Sequence, residues 1–196
     1  MPNKPKGLSS KEDALDPQQV TQLLLVCNSL RQKFIIYSLL FAGLRVSELK
    51  HLKRLWVNFD EGTITVPTRQ YCDCPECKLK RNGVWRPKTK RGARTILIHP
   101  SLLPVMSEYL AGHEELGLTR QRLWQITSKL GRDASIPHVY PHCLRATAAT
   151  ILAYQGISAP SLQYDLGWAR LSSAEEYVKS DMKRAMAEIQ EIYAKG

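Results

Sequence analysis

The sequence predicts an α+β fold, mainly α-helical with a small antiparallel β-sheet. Three observations carry this. Capped segments with apolar residues recurring every three or four positions fill both ends of the chain, whereas Trp56–Val66 and Ala93–His99 alternate apolar and polar residues. Between those stretches lies Lys78–Arg94, which holds eight Lys or Arg and no acidic residue. At 196 residues the chain supports one domain with a sizeable core. Its 28 Lys and Arg outnumber 18 Asp and Glu for a formal charge of +10, which favours a polyanionic partner, nucleic acid first. No apolar run approaches the roughly 20 residues that cross a bilayer, and the basic start Met1–Lys6 lacks the apolar segment of a secretion signal. A protein inside the cell is expected. Five cysteines, only three of them clustered, argue for reduced thiols over a disulfide framework.

In chain order, residues 1–15 read as a tail or linker remnant, rich in Pro, Lys, Gly and Ser over the first ten. Asp16-Pro17 caps and opens a helix from Gln18 to about Ser29, and a second runs from Lys33 to Ala42; Leu23, Leu24, Val26, Cys27 and Leu30 are expected to face inward. Gly43 interrupts, and a third helix starts with Arg45 and Glu48 three apart, a spacing that by itself reads as an ion pair on a solvated face. Trp56–Val66 turns at Asp60-Glu61-Gly62 as a hairpin, and Ala93–His99 adds a further strand. The basic stretch Lys78–Arg94, overlapping a Cys-bearing basic insertion at about 70–87, is expected to form an exposed hairpin or loop aimed at DNA.

Within that insertion, Cys72-x-Cys74-x-x-Cys77 resembles part of a metal knuckle, but a fourth ligand is missing: His51 and His99 lie outside the cluster in sequence. A thiol-bearing loop without metal is therefore favoured over structural zinc. Amphipathic helices follow over Leu102–Gly112 and, capped by Thr119, over Thr119–Leu130, then a loop over Gly131–Pro141. His142 and Arg145 open a helix that ends at Gly156; Ser158 caps a short one to about Leu166. Ser173 and Glu176 have capping-box spacing and would put Tyr177 in a first helical turn. Met182, Met186, Ile189 and Tyr193 give the C-terminal helix, about 181–194, one apolar stripe.

His142 and Arg145, at i and i+3, share one helix face and could hold one phosphate: the guanidinium fork matches two oxygens, and imidazole donates a hydrogen bond or exchanges a proton near neutral pH. A bare H-x-x-R is more often an ordinary surface pair. Tyrosine is a poor nucleophile at pH 7, because its pKa is about 10, and needs neighbouring cations to act as one. Eight tyrosines are present, so position must select among them.

Taken in order, these motifs resemble the catalytic domain of the tyrosine recombinases, the phage-type integrase family. GLRVSEL, Gly43–Leu49, is similar to the family's first arginine motif; Pro87-Lys88-Thr89-Lys90 with Arg94-Thr-Ile-Leu-Ile resembles its β-hairpin lysine region; PHCLRATAAT carries the H-x-x-R box; Leu166-Gly167-Trp168 matches the box holding His or Trp; and Tyr177 stands where the nucleophile is expected, nine residues after Trp168. The resemblance covers about residues 16–196 and implies the family's DNA breaking-rejoining fold. It also implies a site of Arg45, Lys88, His142, Arg145, Trp168 and Tyr177, with Glu48, Lys90, Arg91 and Arg94 grouped as the DNA-binding residues. Lys88 is the expected general acid, with Lys90 the alternative. The Cys-bearing insertion departs from the family pattern, and the chain has no room for the N-terminal helical domain that usually closes the clamp on DNA.

The implied function is site-specific recombination through a 3′-phosphotyrosyl intermediate, integrating or excising a mobile or viral element, with no cofactor required for the chemistry. The implied partners are double-stranded DNA and further copies of the chain, assembled as a tetramer in the synaptic complex, with no membrane and a cytoplasmic, DNA-associated location. A type IB topoisomerase-like enzyme and an inactive DNA-binding accessory protein are the alternatives.

Overall fold

The structure is a computed structural model that describes residues 13–178 together with Gln190, Tyr193 and Ala194. The tail over 1–12 and most of the C-terminal segment over 181–194 lie outside the described residues. Asp13 and Leu15, expected with the tail, belong to the body: the Leu15 amide donates to Thr147 Oγ1 at 2.9 Å and the Tyr140 hydroxyl donates to Asp13 at 2.6 Å.

Helices α1 (Pro17–Leu25), α2 (Leu30–Leu40) and α3 (Val46–His51) come first. The sequence places the first two slightly late, because capping boxes at Asp16/Gln19 and Ser29/Gln32 start each helix as soon as the donors are satisfied. Helix α2 supplies the centre: Phe34, Ile35, Ile36 and Leu39 have no solvent exposure, and the helix lies against α3 and three later helices. Strands β1 (Val57–Asn58) and β2 (Thr63–Val66) form the expected hairpin, pairing Val57 with Ile64.

The chain then leaves the sheet for the insertion: β3 (Gln70–Tyr71), α4 (Pro75–Arg81) and β4 (Val84–Trp85), with β3 and β4 paired to each other alone. A 3-10 turn at Lys90–Gly92 leads back to β5 (Arg94–Leu97), antiparallel to β2 with Ile64 opposite Ile96. Ile64, Val66 and Ile96 alternate with exposed residues and turn one face of this three-stranded sheet to the core.

Helices α5 (Leu103–Ala111), α6 (Arg120–Asp133), α7 (Pro141–Tyr154), α8 (Ala159–Leu166) and α9 (Ser172–Glu175) complete the described fold. Helix α6 runs three residues past its expected end. Gly131, read as the first loop residue, is buried inside it, where an added Cβ would lie 2.5 Å from that of Val139. The main core spans α1 to α7; a satellite of Ala149, Ala153, Leu162, Leu166, Ala174 and Tyr177 joins α7, α8 and α9. Among the described residues no helix is long and apolar enough to cross a membrane.

Candidate active site

The site gathers around the C-terminal end of α8. The last carbonyls of a helix have no partner within it and carry the negative end of its dipole. Here three consecutive carbonyls each accept from a different arginine: Asp165 from Arg94 Nε at 2.6 Å, Leu166 from Arg145 Nη2, and Gly167 from Arg45 Nη2 at 2.7 Å. Residues distant in sequence thereby meet on one short backbone segment. Gly167 ends α8 in the left-handed region, at φ 61°, and a Cβ there would lie 2.8 Å from the Arg91 carbonyl and 3.0 Å from Arg94 Nη1. Only glycine admits both the turn and the crowding.

Glu48 compensates the clustered charge from beneath. Fully buried, it bonds Arg45 Nη1 at 2.7 Å, the Arg45 amide at 2.8 Å, and Arg94 through both its oxygens at 3.1 and 3.2 Å. Burial by itself would raise its pKa, but Arg94, Arg145 and Arg45 together outweigh that and hold it at about 2. Arg145 is also buried and bonds the Gly43 carbonyl, which joins the end of α2 to α7. Burial, then repulsion from Arg45, push its pKa down to about 9, so the guanidinium stays charged at pH 7. Burial raises the pKa of Asp165 against the pull of Arg94 and Arg145.

The Arg145 guanidinium lies 5.9 Å from the Trp168 ring centroid, and Trp168 stacks on Tyr177 at 5.4 Å and 20°. A continuous line of contacts thus runs from the arginine cluster to the phenol. Tyr177 is 6% exposed and sits in the turn after α9. The capping box expected at Ser173 and Glu176 does not form: Leu171 is already helical at φ −63° and ψ −37°, so Ser173 lies inside the helix and lacks the extended backbone of a cap. His142 is exposed on the first turn of α7, one turn before Arg145.

Two residues grouped with the DNA-binding set occupy a different place. Glu48 and Arg94 are buried and ion-paired to each other. The R-x-x-E spacing does make an ion pair, but on a buried face, because Arg94 and Arg145 come in from other elements to share the carboxylate. Lys90 and Arg91 are exposed. Lys88 is exposed as well, in a bend between β4 and the 3-10 turn, not on a hairpin strand, since the insertion consumes the chain that would extend β2 and β5. Its neighbour Thr89 donates to the Gly167 carbonyl at 3.3 Å, which anchors that bend beside the Arg45 contact.

A second cluster stands at the other end of α3. His51 and Cys72, Cys74 and Cys77 have ligand atoms all within 4.8 Å of one another, so the histidine read as lying outside the thiol cluster is its fourth member. No regular spacing in sequence links His51 to those cysteines. Nor does any motif mark the α8 carbonyls, Asp165 or Thr89 as parts of the arginine site.

The helical body, the small antiparallel sheet and the arginine cluster at the end of α8 define the class: this is the fold of tyrosine recombinase catalytic domains. The model described as the phage integrase family matches residues 13–184, and the chain belongs to that family. Tyrosine recombinase XerA of Pyrococcus horikoshii is 29% identical over 194 residues, covering 91% of this chain and 61% of its own length. XerA of Thermococcus kodakarensis is 32% identical over 181 residues, covering 89% and 61%. The chain thus spans about three fifths of the curated relatives it matches. In fold it resembles the integrase of transposon Tn1549 in complex with a circular intermediate DNA, at TM-score 0.72 and 20% identity over 97% of this chain and 67% of that one.

Proposed function

We propose that this chain is the catalytic part of a site-specific DNA recombinase that cuts and rejoins strands through a 3′-phosphotyrosyl link. The observation that carries the reading is the convergence of Arg45, Arg94 and Arg145 on the α8 carboxyl end, with Trp168 stacked between Arg145 and Tyr177. Fixed guanidinium groups stabilise charge that grows on non-bridging phosphate oxygens, and a preorganised cluster does so without reorganisation cost.

In this reading Arg45 and Arg145 hold the scissile phosphate, while Glu48 and Arg94 fix their orientation. The Tyr177 oxygen attacks phosphorus as the bond to the 5′ oxygen breaks. His142 orients the phenol or takes its proton, Lys88 protonates the departing 5′ oxygen with Lys90 as the alternative donor, and Trp168 supports the phenol and offers its indole N–H. The chemistry requires no cofactor. Because the covalent link conserves the phosphodiester bond energy, a 5′ hydroxyl from a partner strand reverses the step and joins new strands.

Exposed Lys90 and Arg91 and the net charge of +10 suit double-stranded DNA as partner. Several copies on paired sites, as a tetramer, would integrate or excise a mobile or viral element. Incubation with nicked suicide substrates, followed by denaturing electrophoresis, tests the nucleophile. A protease-sensitive DNA adduct should form with the wild type and not with Tyr177→Phe. DNA binding with no adduct from either protein would overturn the proposal in favour of a binding module, and relaxation of supercoiled DNA without exchange between sites would favour a topoisomerase.

A further inference from the structure

We propose that His51, Cys72, Cys74 and Cys77 form a structural zinc site that fastens the basic insertion to the helix carrying Arg45 and Glu48. Three features of the cluster support a tetrahedral metal. His51 Nε2 lies 3.5 Å from Cys77 Sγ and 3.6 Å from Cys74 Sγ. Zinc bonds of about 2.3 Å to sulfur and about 2.0–2.1 Å to nitrogen, at tetrahedral angles, separate N and S ligands by about 3.6 Å. The imidazole is also oriented for ligation: its Nδ1 is 2.7 Å from the Ser47 carbonyl, which can only accept, so Nδ1 carries the proton and the Nε2 lone pair faces the thiols. Finally, the Cys74 amide donates to Cys72 Sγ at 3.5 Å and Lys50 Nζ lies 3.4 Å from Cys74 Sγ, so hydrogen-bond donors already surround two of the three sulfurs, as they commonly do around ligating sulfur.

The charge and the architecture agree with this. Zinc with three thiolates and neutral imidazole carries one negative charge, and Lys50, already paired with Glu76 at 2.8 Å, stands next to it. Loading is Zn²⁺ plus three thiols and one imidazole, giving the complex and three released protons. Soft sulfur with one imidazole selects zinc over magnesium or calcium. The insertion comprises two strands of two residues and one helix of seven, with Trp85 as its buried aromatic, stacked on His51 and tilted against Trp56. Elements this short do not hold a fixed shape by backbone pairing alone. A metal would supply the missing constraint, and since His51 closes α3 while Arg45 caps its start, it would also tie the Lys78–Arg91 surface to the arginine cluster.

The site does not depend on recombination, and its test reads metal, not activity. The full chain, prepared without a polyhistidine tag or chelator, should carry about one zinc per chain by elemental mass spectrometry. Exchange with cobalt(II) should give the visible bands of a tetrahedral ion and thiolate-to-metal charge transfer in the near ultraviolet. Cys77→Ser and His51→Gln should each lower the metal content at least about tenfold after dialysis against a mild chelator, consistent with loss of one of four ligands, whereas Cys27→Ser and Cys143→Ser, outside the cluster, should retain it. Wild-type protein that takes up no zinc, shows the same reactivity of its cluster thiols with and without added zinc, or links two cluster cysteines as a disulfide would overturn the proposal whether or not the variants fold.

Discussion

Glu48 illustrates how one buried carboxylate organises a cationic site. Its pKa is about 2 in the folded protein against an ordinary 4.5, so its ionisation stabilises the fold fully above about pH 4.5, and that contribution is lost as pH falls towards 2. Glu48→Gln keeps the shape but leaves Arg45, Arg94 and Arg145 without their shared counter-charge. Breaking a buried ion pair from one side costs about 3–5 kcal/mol. Urea unfolding at pH 7 should show a loss of that order, and the gap between variant and wild type should close as the pH is lowered towards 2; a gap independent of pH would mean that charge is not the cause. Gly167 is the complementary case, where a missing side chain matters. Gly167→Ala places a Cβ in the left-handed region, at about 1–2 kcal/mol, and presses it against the Arg91 carbonyl and Arg94. Thermal unfolding should reveal a lower midpoint, and the same variant should yield less DNA adduct, since the shifted backbone carries the acceptors for two arginines.

Among the elements, α8 is the hub because a helix end presents carbonyls that nothing inside the helix can satisfy. Helix α7 reaches it through Arg145, α3 through Arg45, and β5 through Arg94, so the three elements are registered by their common acceptor. Arg145→Lys tests this. An ammonium on a flexible stem cannot bridge the Gly43 and Leu166 carbonyls as a planar fork does. Adduct formation should fall by at least about two orders of magnitude, as for removal of one oxyanion-stabilising donor, while DNA affinity stays within a few-fold. Near-normal adduct yield would show that only the charge at that position matters. The helix pattern itself was legible: Thr119 and Ser158 cap as expected, Gly156 follows the end of α7, and α8 stops at Leu166. The expected box at Ser173 failed because a Ser and a Glu three residues apart say nothing about whether the backbone at the Ser is extended or already helical.

For the whole molecule, a charge of +10 concentrated partly in Lys78–Arg94 predicts that the proposed DNA binding is strongly salt-dependent. A plot of log affinity against log salt should be linear and steep, and replacing exposed Lys90 and Arg91 by Ala should reduce its slope by about one for each phosphate no longer neutralised. An unchanged slope would remove these two from the DNA surface. The same titration on paired sites reads assembly: cooperative binding is expected of a recombinase, and one independent chain per site would exclude the tetramer.

Local sequence was enough for the helical pattern, the three strands of the main sheet and the order of motifs that leads to the family. Each of these depends on caps, turns and hydrophobic periodicity, which neighbouring residues encode. Tertiary packing alone selected which side chains share a partner. Arg94 turned inward because Glu48 and the Asp165 carbonyl offer a buried carboxylate and an unsatisfied acceptor, although its neighbours in sequence made it look like one more exposed cation. His51 joined the cysteines because the insertion folds back onto the end of α3, where Gln70 bonds the His51 carbonyl at 2.8 Å and Trp85 stacks on its ring. Both outcomes depend on contacts between residues far apart in the chain or on backbone groups that no motif names, and such meetings exist only once the helices and the sheet have packed.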